Sequence, residues 1–365
     1  MKYLIHITLL LFFLGGCGKP QQQALPPPPV TMVRPVVCDV NLYTDYVGHM
    51  QANVTVQVRA QVSGVITAKY FEEGQDVKNG DLLFTIDDRP YVAALAKAQA
   101  TLSQTMARLH LAEETVARYT DLVKQKYISQ LNYDQYVTEV KVDDATIREN
   151  IAEIETAKVN LSYCNITAPM DCTTGVLQIY PGNYINAGGQ NQLITLNQIS
   201  PIQAIFFVPE KDLQNIQFLQ RQKTLKTIVY LYDNQEHGYD GELAVVDNQV
   251  NANTGSIQLK ALLPNKDKAL WPGQFVVVRL ILGSKKNAIL IPSRTIQLGQ
   301  TGSYVFVIKS DDTVEMRRVI EGQRQGEYSI IEQGIDAGEM VVLDGQLNLV
   351  TGIKVSIKNA SAIGK

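Results

Sequence analysis

The chain has 365 residues, of which 45% are hydrophobic and 19% charged, a composition that supports folded domains and excludes a disordered protein. Its formal charge of −3 lacks the basic excess that binding to a phosphate backbone requires, so nucleic acid is excluded as a partner class. The four histidines and seven methionines are scattered, and their spacing predicts no metal site.

The first residues are predicted to be an export signal rather than part of the fold. An apolar run over residues 3–14 is too short to span a bilayer as a helix, and a signal peptide over residues 1–16 is favoured. Residues 14–17, Leu-Gly-Gly-Cys, resemble the lipobox of bacterial lipoproteins. That resemblance implies cleavage before Cys17 and acylation of this residue. A plain signal peptide with a cysteine at this place by chance is the alternative.

The segment after Cys17 is predicted to be a flexible tether. Residues 17–30 contain four consecutive prolines and have nothing to bury, while lipid chains on Cys17 would hold the rest of the chain at a membrane surface. Export also places Cys38, Cys164 and Cys172 in an oxidising compartment. Cys164 and Cys172 are the near neighbours that could form a disulfide, but three free thiols is the favoured interpretation.

A repeated glycine motif predicts a β-domain that is split in the sequence. Apolar and polar residues alternate from Val54 to Val62, which is typical of a half-buried strand. Residues 74–80 then place an apolar residue three positions after a glycine and three before the next, and residues 182–188 repeat this pattern. The two halves of the domain are predicted over residues 56–90 and 163–197.

The segment between the two halves, residues 91–162, is predicted to be an α-helical hairpin. It contains no glycine, and proline is absent from residue 91 to residue 168. Two coiled-coil interfaces with seven-residue repeats are predicted, separated by a turn at residues 124–130. The first comprises Leu95, Ala98, Leu102, Thr105, Leu109, Ala112, Val116, Tyr119 and Val123. The second comprises Tyr133, Val137, Val140, Asp144, Ile147, Ile151, Ile154, Lys158 and Leu161.

A lipoyl-like β-domain divided by a helical hairpin, behind a lipobox, resembles the periplasmic adaptor proteins, or membrane fusion proteins, of tripartite efflux pumps. The hairpin tip of that family carries Arg, Leu and Ser in the pattern RxxxLxxxxxxS, and Arg118, Leu122 and Ser129 match it. The resemblance implies that these residues contact a TolC-type outer-membrane channel. The alternative is that Arg118 is a solvated charge beside the helix interface and Leu122 ends that interface.

The C-terminal half is predicted to be mostly strands. A β-barrel domain is predicted over residues 47–55 and 198–284, and a membrane-proximal β-domain over residues 31–46 and 285–360. Residues 241–280 are similar to a characteristic stretch of the adaptor family, with Asn251 for Asp and Ser256 for Thr. Cys172 stands where the family usually has glycine. The fold class is therefore an elongated, mixed α and β multidomain protein.

The predicted function is that of a periplasmic adaptor that couples an inner-membrane, proton-driven RND exporter to the channel. An adaptor for an ABC exporter or secretion system is the alternative. The resemblance also implies self-association into a ring, a trimer of dimers or a hexamer, and anchoring to the inner membrane of a Gram-negative bacterium through the lipid. No residue constellation indicates catalysis, a cofactor or a bound metal.

Overall fold

The computed structural model describes residues 26–189, 192–232 and 234–358; the predicted signal peptide, Cys17 and most of the predicted tether lie outside them. The described helices are α1 (Arg89–Lys124), α2 (Gln130–Ser162) and α3 (Glu210–Gln222). The strands before α3 are β1 (Pro29–Val33), β2 (Val36–Val58), β3 (Gly64–Lys69), β4 (Asp76–Val77), β5 (Leu82–Ile86), β6 (Asn165–Thr167), β7 (Cys172–Thr174), β8 (Tyr184–Ile185) and β9 (Ile194–Pro209). The strands after α3 are β10 (Lys226–Leu231), β11 (Asn234–Asn251), β12 (Ser256–Leu263), β13 (Phe275–Pro292), β14 (Gln297–Gly299), β15 (Gly302–Ile308), β16 (Val314–Arg318), β17 (Ile320–Gln325), β18 (Tyr328–Gln333), β19 (Met340–Asp344) and β20 (Ser356–Lys358).

The chain forms two compact units. Of the described residues, one unit comprises those up to Leu42 and from Gly283 onward, and the other comprises those of Tyr43–Leu282. The first unit contains a six-stranded sheet in the order β14-β15-β19-β1-β20, with β16 beside β15. Strands β17 and β18 of the same unit form an antiparallel pair. This unit is the β-structure that the sequence predicts for the C-terminal part of the chain.

The second unit contains a closed β-barrel. Strands β13, β10, β11, β12 and β9 are neighbours in that order, and β2 pairs with both β9 and β13 to complete the circle. Two backbone hydrogen bonds of 2.8 Å, from Met50 to Gln274 and from Gly273 to Met50, join β2 to the segment before β13. Closure leaves few free strand edges, and apolar side chains such as Phe206 fill the interior. The barrel predicted from the sequence is confirmed.

The glycine repeat forms a lipoyl-like domain in which each half completes the other. Strand β4, in the first motif, pairs with β7 of the second half, and β8, in the second motif, pairs with β3 of the first half. Gly74 and Gly182, which begin the two motifs, have φ of +80° and +93°, a region that glycine enters without steric cost. Because the pairing crosses between the halves, the domain tolerates a long insertion in its middle.

Two details of this domain differ from the expectation. Val54, the first residue of the predicted alternation, is exposed, whereas Val58, on the same face of β2, is buried. Cys172 adopts a negative φ at the start of β7, so the residue that replaces the family glycine needs no left-handed backbone. The Cys172 side chain is buried in the domain core.

Helices α1 and α2 form the predicted antiparallel hairpin. Cross-helix contacts pair Thr105 with Asn150 and Tyr119 with Tyr136, so residue numbers rise on one helix as they fall on the other. At 1.5 Å per residue, helices of 36 and 33 residues extend about 50 Å. All predicted interface residues of α1 are buried or half-buried, with Ala98, Thr105 and Ala112 the most buried.

The predicted interface of α2 is wrong at three positions. Asp144, Ile151 and Lys158 are exposed, and the buried positions nearby are Asp143 and Asn150. The Asn150 amide donates to the Thr105 hydroxyl at 2.9 Å, and Asp143 forms an ion pair with Arg108. Each buried polar side chain therefore has a partner on α1, which a pattern based on hydrophobicity does not reveal.

The Arg108–Asp143 pair leads to a test of the interface. Oδ2 of Asp143 is buried without a hydrogen bond to the described residues, and the hydrogen bond from Arg108 to the other carboxylate oxygen raises the pKa of the guanidinium. Arg108→Met should lower the melting temperature because it leaves a buried charge uncompensated, and Arg108→Met/Asp143→Leu should restore it by removing both charges. Thermal unfolding of the two variants decides this. Equal melting temperatures for wild type and the single variant would show that the pair contributes nothing.

Candidate docking site at the hairpin tip

The connection between α1 and α2 is short and ordered by its own backbone. Helix α1 ends at Lys124, and Lys126 has φ +59°, the left-handed conformation that closes many helices. The amide of Lys126 donates to the carbonyl of Val123 at 3.1 Å, and that of Tyr127 to Leu122 at 3.0 Å. The turn thus forms without glycine at the predicted place.

Ser129 caps α2. Its hydroxyl oxygen accepts a hydrogen bond from the backbone N–H of Asn132 at 3.2 Å, and its backbone is extended, as an N-cap requires. The side chain is exposed, so the capping role and a contact with a partner are compatible in one residue.

Arg118 and Leu122 lie one turn apart near the end of α1. They are four residues apart and therefore share one face of the helix. The Arg118 side chain is 70% exposed, and its nearest acidic group is Glu114, at 4.0 Å. Leu122 is half-buried. The structure thus places the guanidinium in solvent, the leucine beside the turn and Ser129 at the start of the returning helix.

The end of the hairpin is internally braced. The rings of Tyr119 and Tyr136 stack with centroids 5.0 Å apart and an interplanar angle of 14°. Slightly nearer the tip, the hydroxyls of Thr120 and Tyr133 lie 3.3 Å apart. These contacts join the last turns of α1 to the first turns of α2, so the exposed tip residues project from an ordered base.

Two exposed apolar residues at the tip did not emerge from the sequence analysis. Tyr127, in the connection, is 74% exposed, and Leu131, in the first turn of α2, is 68% exposed. Both lie outside the predicted interface positions and outside the Arg-Leu-Ser pattern. The signal that could have revealed them is an apolar residue on each side of the Ser129 cap, at positions where the hairpin has no core to fill.

Away from the hairpin tip, the described residues offer neither reactive buried thiols nor a metal-binding cluster. Cys38, Cys164 and Cys172 are free thiols, and burial is the main factor that raises the pKa of Cys164 and Cys172. The raised pKa lowers the thiolate fraction and with it the reactivity of both buried residues. Among the described residues, no group of three or more His, Cys, Asp or Glu side chains is arranged to hold a metal ion.

Family models match three successive parts of the chain. They are the RND MFP barrel-sandwich hybrid domain over residues 54–197, the RND MFP β-barrel domain over residues 201–284 and the RND MFP C-terminal permuted SH3 domain over residues 287–347. The chain belongs to the RND membrane fusion protein family. The resemblance stated from the lipoyl-like repeat and the hairpin is thereby confirmed.

Similar proteins agree with this assignment. Multidrug resistance protein MdtA of Escherichia coli O7:K1 is 36% identical over 348 residues, which cover 94% of this chain and 83% of that protein. MdtA of Pantoea ananatis is 36% identical over 337 residues, 92% of this chain and 82% of the relative. The solved structure of MacA from Actinobacillus actinomycetemcomitans shares the fold, with a TM-score of 0.60 and 23% identity, covering 86% of this chain and 99% of that one.

Membership of the family assigns the general role. The chain is a periplasmic adaptor of an RND-type efflux pump, and an ABC exporter as partner is not favoured, because the three matching models all describe RND membrane fusion proteins. None of the described helices combines the length and the apolar character that crossing a bilayer requires.

Proposed function

We propose that this membrane fusion protein is the non-enzymatic adaptor of a tripartite multidrug efflux pump and that its hairpin tip docks on a TolC-type outer-membrane channel. The observation that carries the proposal is the presentation of Arg118, Leu122 and Ser129 around the end of a braced hairpin about 50 Å long. A stiff hairpin of this length transmits contact only at its far end. The similarity to MdtA, a multidrug resistance protein, supports the drug-export role.

Each of the three residues has a distinct role at the channel. The exposed guanidinium of Arg118 donates forked hydrogen bonds to carbonyl or carboxylate oxygens of the channel. Leu122 supplies an apolar contact, and Ser129 a small polar one at a closely packed helix end. The exporter and the channel are the two protein partners, and copies of the adaptor associate into a ring, a trimer of dimers or a hexamer.

Co-purification tests the proposed assembly. Cells expressing the tagged full-length chain are treated with a lysine-reactive crosslinker, and the adaptor is purified under denaturing conditions. The expected products contain an RND exporter and a TolC-type channel. An ABC transporter in place of the exporter, or crosslinks to the exporter without any to a channel, would refute the corresponding part of the proposal.

The membrane anchor is proposed to be lipid on Cys17, a residue outside the described part of the chain. Cys17→Ser removes the acylated sulfur, so processing should stop and the protein should no longer be retained as a lipoprotein in the inner membrane. Metabolic labelling with a fatty-acid analogue and membrane fractionation measure both effects. Lys19→Ser, two residues away, is the matched control. Normal cleavage and unchanged membrane retention in Cys17→Ser would rule out the lipid anchor.

The two roles of Ser129 can be separated by substitution. Ser129→Ala should destabilise the start of α2 by about 1 kcal/mol, because the N–H of Asn132 loses its acceptor. Ser129→Asp keeps the cap, since aspartate is a good N-cap residue, but places a larger charged group at the contact. We expect Ser129→Asp to retain wild-type helicity and to reduce drug resistance. Hydrogen exchange at the α2 amides and growth in the presence of drug are the measurements. Wild-type drug resistance in Ser129→Asp would show that Ser129 caps α2 but does not contact the channel.

A further inference from the structure

The end face of the hairpin carries apolar surface that the fold does not use. Tyr127 and Leu131 are the two most exposed large apolar side chains of the whole hairpin, at 74% and 68%. The connection is held by backbone hydrogen bonds and by the Ser129 cap, neither of which involves the side chain of Tyr127 or Leu131. The two most exposed of the hairpin's apolar side chains thus lie four residues apart at its end, and adjacent exposed apolar side chains mark interaction surfaces more often than single scattered ones.

The same end face carries positive charge. Lys124 is the last residue of α1, and Lys126 lies in the connection. Arg118 lies about two helical turns further from the tip, on α1. Asp121 is the acidic residue of this stretch, and its carboxylate is engaged by Lys124 at 3.0 Å. Lys126 forms no ion pair with any residue that the structure describes, so its ammonium group is free to meet a carboxylate of a partner.

We infer that Tyr127 and Leu131, with Lys126 beside them, form a specificity-determining contact with the outer-membrane channel, distinct from the Arg-Leu-Ser pattern. This inference rests on the proposed docking of the tip. The backbone of Tyr127 is tied to that of Leu122, whose carbonyl accepts from the amide of Tyr127 at 3.0 Å, so the two residues hold a fixed position relative to each other. The chemistry of these three side chains fits an apolar channel surface with a carboxylate nearby, which Lys126 would pair with. Central aromatic and aliphatic residues of this kind often dominate the affinity of an interface.

In-cell photocrosslinking tests the inference. A photoreactive amino acid at Gln125 of the full-length protein reports contact with the channel in wild type, in Tyr127→Ser/Leu131→Ser and in Arg118→Asp. Val142→Ser is the matched control, because Val142 is also an exposed apolar residue of α2 but lies three turns from the tip. We expect about a tenfold or greater loss of channel crosslinks in the double variant, wild-type yield in the control and unchanged melting temperatures in both.

The outcomes separate this inference from the docking proposal. Wild-type yield in the double variant with loss in Arg118→Asp would overturn the role of Tyr127 and Leu131 and leave docking intact. Wild-type yield in both variants, or no channel crosslink in wild type, would overturn both. A membrane surface is the competing partner for an apolar and basic face. If phosphatidylglycerol vesicles bind the wild-type protein but not the double variant, while channel crosslinks persist, the end face contacts lipid and the inference is wrong.

Discussion

Replacing Arg118 by Asp is expected to make cells as sensitive to the pump's substrates as cells that lack the adaptor. The guanidinium is exposed and its nearest carboxylate is 4.0 Å away, so the hairpin loses little when it is removed. The melting temperature should therefore stay within about 2 °C of wild type. A carboxylate in its place removes every donor and repels the oxygens that we propose it contacts.

Arg148→Asp is the matched control for this prediction. Arg148 is also an exposed arginine of the hairpin with an acidic residue four positions away, Asp144, but it lies far from the tip. Drug susceptibility, protein level and thermal unfolding are measured for both variants. If Arg118→Asp unfolds the protein, or if both variants keep wild-type resistance, Arg118 is not a docking residue.

The largest effect on stability is expected at Phe206, in the centre of the barrel. Its side chain is fully buried, and its ring stacks on Tyr46 with centroids 5.7 Å apart. Phe206→Ala should lower the free energy of unfolding of the barrel by about 3–5 kcal/mol, because it removes a large buried surface and leaves a cavity.

The neighbouring residue provides the control. Phe207 follows on the same strand, points to the other face and is 47% exposed, so Phe207→Ala should cost less than about 1 kcal/mol. Trp271, the single tryptophan of the chain, lies before β13 and reports barrel unfolding by fluorescence. If the denaturant unfolding curves of Phe206→Ala and Phe207→Ala coincide, Phe206 does not lie in the barrel core.

The hairpin shows what the sequence can and cannot predict. The α1 interface followed from spacing alone, because apolar or small residues occupy nearly every position that contacts α2. On α2, Asp143 and Asn150 occupy buried positions, and their partners Arg108 and Thr105 lie 35 and 45 residues away. Hydrophobicity favours Ile151 over Asn150 at such a position, and only the cross-helix hydrogen bond reverses that preference.

The β-domains show a similar division. The two glycine motifs predicted both turns, since residues with a left-handed backbone have a strong sequence preference. The motifs did not predict that β4 of the first half pairs with β7 of the second, or that β8 of the second pairs with β3 of the first. Such pairing depends on residues far apart in the chain. Val54 is exposed although Val58, on the same face, is buried, because burial at the start of an alternating run depends on what packs over that end, which the alternation does not describe.

At the tip, the pattern of Arg118, Leu122 and Ser129 was available from the family resemblance, whereas the geometry around it was not. The left-handed Lys126 ends α1 where no glycine or proline indicates a stop. The exposure of Tyr127 and Leu131 depends on how the two helices face each other, which spacing alone describes only in part.

Identification of the protein that contacts the hairpin tip in the cell tests most directly whether the tip docks on an outer-membrane channel. Gln125, in the connection between the helices, is replaced by a photoreactive amino acid in the otherwise wild-type protein. After irradiation of the cells, the crosslinked products are identified by mass spectrometry. We expect an outer-membrane channel of the TolC type as the main product and no crosslink to the RND exporter. An exporter at this position, or the absence of any outer-membrane protein, would contradict the proposal that the hairpin docks on the channel.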